Sequence, residues 1–237
     1  MTLKLVASAA TLALSAAVVA GDARAAPPTF YGPSTYVSQA DAPFHPGDFD
    51  HFYLEDVEDN AVNTLGLSVT GPSFCISNNP GCFPGALIDS VGNGGDQTMG
   101  HSMFAVGFLD VTFDAGALGG LPTFAGLVWT DGNNPITFEA FDGNGVSLGT
   151  LVGNHADGAF AGTLADDRFY GLTYDGGISR LRISNPPATE IDHIQYALDD
   201  LGTGVPEPAS WALMILGFGA AGALLRSHRH NFGQAAV

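Results

Sequence analysis

The stretch ITFEAFDGNGVSLGTLV, Ile136 to Val152, sets two apolar runs on either side of Asp142-Gly143-Asn144-Gly145. Ile136 to Phe141 and Val146 to Val152 have the length of strands, and in the second Val146, Leu148 and Val152 alternate with polar or small residues. Asp-Gly and Asn-Gly supply the backbone freedom that a tight turn needs, so the stretch predicts a β-hairpin.

The same grammar runs outward in both directions. Leu65, Leu67 and Val69 alternate, and so do Leu181 and Ile183 against Arg180, Arg182 and Ser184, the mark of strands with one buried face. Between Met103 and Phe113 the phase slips: Phe104, Val106 and Phe108 share one face, then Leu109, Val111 and Phe113 share the next. A bulge or bend near Phe108-Leu109 reconciles the two halves. Gly126 to Thr130, Phe169 to Tyr174 and Ile194 to Leu198 bring the set to about eight or nine strands, with no amphipathic helix between them and no internal repeat. The predicted fold is all-β, an antiparallel sandwich of two sheets.

Composition agrees. With 32 glycines, 46% hydrophobic residues and 13% charged ones, the chain is too apolar for disorder and too rich in glycine for a helical bundle. Its formal net charge is −17, and four of its seven basic residues (Lys4, Arg24, Arg226, Arg229) fall in the terminal segments. The middle of the chain therefore repels phosphate backbones, which excludes nucleic acid as a partner.

Residues 1–25 have the three parts of a secretory signal helix: Lys4 as the positive region, an apolar run from Leu5 to Ala20, and Ala23-Arg24-Ala25 with small residues where signal peptidase reads them. Cleavage after Ala25 is expected, leaving a sandwich domain over 26–204. Export implies an oxidising compartment. The two cysteines, Cys75 and Cys82, enclose Ile-Ser-Asn-Asn-Pro-Gly, a turn-forming loop that would bring them together as a disulfide.

Residues 205–230 form a third unit, followed by a tail at 231–237. Val205-Pro206-Glu207-Pro208 precedes Trp211, an apolar stretch to Leu225, and then Arg226, His228, Arg229 and His230. Trp211 to Leu225 would make about 22 Å of helix, short of a hydrocarbon core of roughly 30 Å. It spans with interfacial help, Trp211 at one headgroup region and Arg226 and Arg229 reaching the other, so a short transmembrane helix with a cytoplasmic basic end is expected.

This segment resembles the PEP-CTERM sorting signal, on Pro206, Glu207 and Pro208, Trp211, Gly217-Phe218-Gly219 and the basic end with Arg226 and Arg229. The resemblance implies recognition and cleavage near the Pro-Glu-Pro by exosortase, a membrane enzyme of Gram-negative bacteria that make exopolysaccharide. It also implies a precursor anchored in the inner membrane. The middle domain in turn is similar to galactose-binding-like jelly rolls over about residues 48–200, on Phe138-Glu139-Ala140-Phe141-Asp142, Asp167-Arg168-Phe169-Tyr170-Gly171 and Ile191-Asp192-His193-Ile194-Gln195-Tyr196. That likeness implies a jelly-roll sandwich.

No catalytic constellation stands out. Gly100-His101-Ser102-Met103 begins like a serine-hydrolase elbow, but Phe104 stands where the second glycine belongs and no helix pattern follows. Calcium has a physical case, since it takes six to eight hard oxygens. One acidic loop holds Asp48, Asp50, Glu55, Asp56, Glu58 and Asp59; another holds Asp89, Asn93 and Asp96. In jelly rolls of this kind a calcium ties an early loop to the last strand, which would pair Glu55 or Asp56 with Asp192 or Asp199. Three function classes follow: an exported surface or exopolysaccharide-matrix protein without enzymatic activity, a calcium-dependent carbohydrate-binding module with Trp129, Tyr170 or Tyr174 as its stacking platform, and a secreted hydrolase.

Overall fold

The computed structural model describes residues 25–77, 82, 91, 100–158, 164–199 and 213–222. The expected signal helix and the exosortase motif, including Pro206, Glu207, Pro208, Trp211, Arg226 and Arg229, lie outside the described residues, as do Asp89, Asn93 and Asp96.

Among the described residues ten strands pair antiparallel throughout: β1 (Thr29–Thr35), β2 (His51–Glu55), β3 (Leu67–Thr70), β4 (Cys75–Ile76), β5 (Met103–Phe113), β6 (Phe124–Gly132), β7 (Ile136–Asp142), β8 (Ser147–Gly153), β9 (Arg168–Thr173) and β10 (Ile178–Leu198). A single helical turn, α1 (Ala115–Leu118), follows β5, capped by Asp114, whose carboxylate accepts from Gly116 N and Ala117 N. The predicted hairpin forms as β7–β8. Its turn is held by Asp142, whose Oδ1 accepts from Asn144 N at 2.9 Å and Val146 N at 2.8 Å.

The ladders divide into two sheets joined by two bent strands. The first runs β8, β7, the first third of β10, the second half of β5, then β3; the second runs β1, β9, β6, the rest of β10, then β2 and the start of β5 with β4. This is the jelly-roll-like sandwich, with β5 and β10 turning its corner together. The phase slip in β5 is resolved at Gly107, one residue before the expected Phe108-Leu109 step, because Gly107 has φ +83, open without strain to glycine alone. Opposite it, β10 turns at Asn185-Pro186-Pro187, between the registered pairs Ser184↔Phe108 and Ala188↔Val106. The sequence reads two separate strands here; they are one 21-residue strand. Prolines lack the N–H a ladder uses, and Pro186 and Pro187 stand, exposed, where the register skips.

The corner is pinned from inside. Asn185 is fully buried, accepts from Trp129 Nε1 at 3.2 Å and donates to the Asn133 carbonyl at 3.0 Å. Gly132 must be glycine beside it, since a Cβ there would sit 1.9 Å from Asn185 Nδ2.

Between the sheets lies a core built on Trp129, Phe138, Tyr170, Tyr196, Met103 and Leu127. A second apolar layer covers the far face of the second sheet, where Phe44 and Phe49 pack on Phe124 at 4.6 and 5.5 Å between ring centroids. A closed ring of side-chain hydrogen bonds, Tyr36 to Gln39, Gln39 to Gln195 and Gln195 to Tyr36, satisfies the polar groups trapped there. Cys75 and Cys82 are joined by the expected disulfide.

Beyond the domain, residues 213–222 form a helix, α2, whose Leu213, Met214, Ile215, Leu216 and Phe218 are all exposed. Ten residues make about 15 Å. Among the described residues no helix is long and apolar enough to cross a membrane.

Candidate functional site

The stacking platform expected from the sequence breaks up in the fold. Trp129 and Tyr170 are fully buried and belong to the core; Tyr170 is packed against Phe138 and bonded to His155 Nε2 at 2.6 Å. Inward-facing positions of β6 and β9 leave no other place for such rings. Tyr174, one residue past β9, is the exception. Half-buried, it lines a groove of about 630 Å³ together with Asp142, Val146, Ser147 and Leu148 of the β7–β8 hairpin and residues 25–28, which lead into β1.

The sequence positions this groove directly. The Asp142 turn lifts Val146, 60% exposed, to the rim. Gly176 lets the Tyr174 ring lie back against the chain, for a Cβ there would meet the ring at 2.5 Å. Ser147 Oγ donates to Glu139 Oε1 at 2.6 Å, fixing the hydroxyl on the hairpin. A phenol ring, apolar Pro27, Pro28 and Leu148, and a carboxylate make a surface suited to non-covalent contact with a ligand that has apolar faces and polar edges.

The serine elbow is not one. Ser102 is buried at the start of β5, with its hydroxyl donating to Glu190 Oε1 and in contact with Ser77 Oγ at 2.6 Å. A strand rather than a helix follows, as Phe104 in the glycine position indicates.

The early acidic loop and the last strand do meet. Glu55 pairs in register with Ile194 of β10, but its carboxylate is buried and filled by the chain itself, accepting from Val57 N at 3.0 Å, Asn63 N at 2.9 Å, Thr64 N at 3.0 Å and Thr64 Oγ1 at 2.9 Å. Asp192 is fully buried and accepts from Val91 N at 2.9 Å and His193 N at 2.6 Å, with His193 Nδ1 at 3.2 Å. Burial pushes the Asp192 carboxyl up. Burial alone would push His193 down, but its contact with Asp192 and the charges of Asp192, Asp56 and Glu58 hold it above its ordinary value. Asp56 accepts from Glu58 N at 3.2 Å, and Asp199 is exposed just past β10. Among the described residues no three His, Cys, Asp or Glu side chains converge as a metal-binding group.

Two acids that the strand reading passed over are buried side by side. Asp131, at the end of β6, stands opposite Glu190 of β10. Burial, reinforced by the charges of Asp166 and Asp157 and opposed by the Gly132 N–H, pushes the Asp131 carboxyl up to about 7. The available signal was an acid closing an otherwise uncharged run, Phe124 to Thr130.

Residues 204–229 match the PEP-CTERM protein-sorting motif. The chain thus carries the sorting signal of an exported, exosortase-processed protein of Gram-negative bacteria. A solved structure of a family 6 carbohydrate-binding module, described for the dissection of its binding sub-sites, is similar over 62% of this chain and 93% of its own, at 15% identity and a TM-score of 0.33. A likeness of that size says nothing about a ligand. No curated protein matches the chain.

Proposed function

We propose that this is a non-enzymatic protein of the cell surface or extracellular matrix, held in the inner membrane by its C-terminal segment until exosortase acts, and that its sandwich domain contacts exopolysaccharide through the groove at Tyr174. The observation that carries the reading is the fate of the three aromatic candidates: two are fully buried in the core, and the third, packed partly buried at the edge of that core, lines a groove beside Asp142 and Leu148. Sugar rings have apolar C–H faces and hydroxyl edges, and a partly exposed tyrosine next to a carboxylate meets both.

A polysaccharide array tests it. Binding to at least one polymer, lost in Tyr174→Ala while the thermal melt is unchanged, is the expected result. An array without a single hit removes the polysaccharide reading, and turnover of a glycan or ester would make the protein a hydrolase instead.

A further inference from the structure

One wall of the groove at Tyr174 is the chain from Ala25 to Pro28, so both residues of the bond where signal peptidase is expected to cut, Ala25 and Ala26, line it. Strand register accounts for this. Thr29 pairs with Thr173, which sets Pro28 against Tyr174 one step further along the antiparallel pair. Pro27 and Pro28 have no N–H with which to continue the ladder, and β1 begins only at Thr29. The two prolines fix their own φ, and Pro27 holds Ala26 extended, so a terminus at Ala26 stays beside the groove where an ordinary one would fray.

Cleavage changes the chemistry of that wall. Hydrolysis of the Ala25–Ala26 amide adds the hydroxyl of water to the Ala25 carbonyl carbon and its hydrogen to the Ala26 nitrogen. Ala25 departs as a carboxylate, and Ala26 keeps an α-ammonium, which with an ordinary pKa of about 7.7 to 8.0 is charged at neutral pH. Among the described residues that line the groove, Asp142 is the one charged side chain, its Oδ1 holding the turn through Asn144 N and Val146 N. The three arginines of the sandwich are engaged elsewhere: Arg180 and Arg182 are bound to Asp110, and Arg168 donates to the Ala165 and Asp167 carbonyls. Lys4 is the single lysine of the sequence and lies in the segment that cleavage removes, so the Ala26 α-ammonium is the one primary amine of the processed chain.

We infer that processing completes the groove at Tyr174 and that the mature groove takes an acidic polysaccharide, the Ala26 α-ammonium donating to a uronate carboxylate; this rests on the polysaccharide reading of the groove and narrows it. The sugar ring lies on the Tyr174 ring, Asp142 accepts from hydroxyls, and the ammonium adds a charge-assisted hydrogen bond, the strongest of the three contacts. The negative charge of the whole domain opposes such a polymer at long range, but it is screened beyond about 8 Å at physiological ionic strength, and a contact pair is screened far less. Before cleavage the groove offers Asp142 alone and repels a uronate, which keeps the precursor from engaging polymer during export.

The exported, signal-processed chain in detergent is tested on a panel of polyuronates, each beside its methyl ester, which has the same ring without the charge. A single amine permits modification at one site: acetylation removes the charge, and reductive dimethylation keeps it. Intact mass should place the N-terminus at Ala26. The parent should bind at least one polyuronate about tenfold or more tighter than its ester; acetylation should abolish that preference, and dimethylation should change it less than about threefold. Tyr174→Ala should lose polyuronate and ester alike. An N-terminus at another residue overturns the inference. So does a preference that is absent in the parent, that survives acetylation, or that dimethylation removes as fully as acetylation does. In those cases neutral-polymer binding that Tyr174→Ala abolishes leaves the polysaccharide reading standing, whereas no binding to any polymer, charged or neutral, removes both.

Discussion

A buried acid and a half-buried histidine at the same end of the sandwich are shifted in opposite senses, and their cancellation can be unmasked. Asp131 has its carboxyl raised from 3.8 to about 7, while His155, against the Trp129 ring, is lowered from 6.5 to about 4 by burial first and by the Arg168 charge second. For a raised acid the folded state holds its proton more tightly than the unfolded chain. Its contribution to stability is complete below about pH 4 and gone above about pH 7, a loss of about 4 kcal/mol. For a lowered histidine the unfolded chain binds the proton more tightly. That contribution is complete above about pH 6.5 and disappears as pH falls through about 4, a change of about 3 kcal/mol. From pH 4 to 7 the two slopes oppose each other, and in their sum stability falls by about 1 kcal/mol.

Single variants should separate them. In chelator, His155→Gln should leave the Asp131 slope exposed, with stability relative to the parent falling by about 3 kcal/mol from pH 4 to 7. Asp131→Asn should do the reverse, gaining about 4 kcal/mol on the parent over the same range. Urea denaturation of the chain in detergent at intervals of half a pH unit measures this, and the Asp192–His193 pair, present in every variant, cancels in the differences. Profiles of both variants parallel to that of the parent would refute the reasoning, since neither group would then differ between folded and unfolded chain.

Removing Glu55 as Glu55→Ala should cost about 3 kcal/mol, because three N–H groups and the Thr64 hydroxyl lose a buried acceptor; the melting midpoint should fall by several degrees, whereas Glu55→Gln should retain part of the loss. Replacing Cys75 and Cys82 together by serine reopens a loop with a sequence separation of 7, a loss of about 2.5 kcal/mol on the chain-entropy account and measurable by denaturation with and without reductant. Asp110→Asn should cost about 1 to 2 kcal/mol by breaking its pairs with Arg180 and Arg182, an effect that shrinks in high salt for these partly exposed side chains.

Much of the sandwich was legible because one-sided strands betray themselves by alternation. The hairpin at Asp142, the bend in β5 and the disulfide all depend on residues close in sequence, and each forms within a residue of its expected place. The missed elements have non-local causes. β1 (Thr29–Thr35) has most of its side chains exposed and is a strand because β9 lies beside it. β10 passes through two prolines because the corner leaves their missing N–H groups unused. β6 is buried on both faces, so alternation vanishes just where Trp129 and Asp131 sit, and neither the core role of the one nor the partner of the other can be read from period. Tyr170 and Tyr174 are indistinguishable in composition; Tyr170 lies within β9 and is fully buried, whereas Tyr174 lies one residue past its end, partly buried beside the groove.

The acids separate by how they are satisfied, and that separation has a chemical consequence. With three arginines for the whole sandwich, most buried carboxylates have to be stabilised by local N–H groups. Glu55 closes its own loop this way, Asp142 its own turn, and Asp192 collects Val91 and His193. Such acids are occupied by the fold. Asp131 and Glu190 come from strands 59 residues apart in sequence and meet through strand register, Asp131 accepting from the Gly132 N–H and Glu190 from the Ser102 hydroxyl. An acidic loop in the sequence therefore says little about calcium, because local turns consume their own carboxylates. Acids brought together by strand pairing are satisfied by whatever donors the register supplies, here a main-chain N–H and a serine hydroxyl, and no spacing in the sequence announces them.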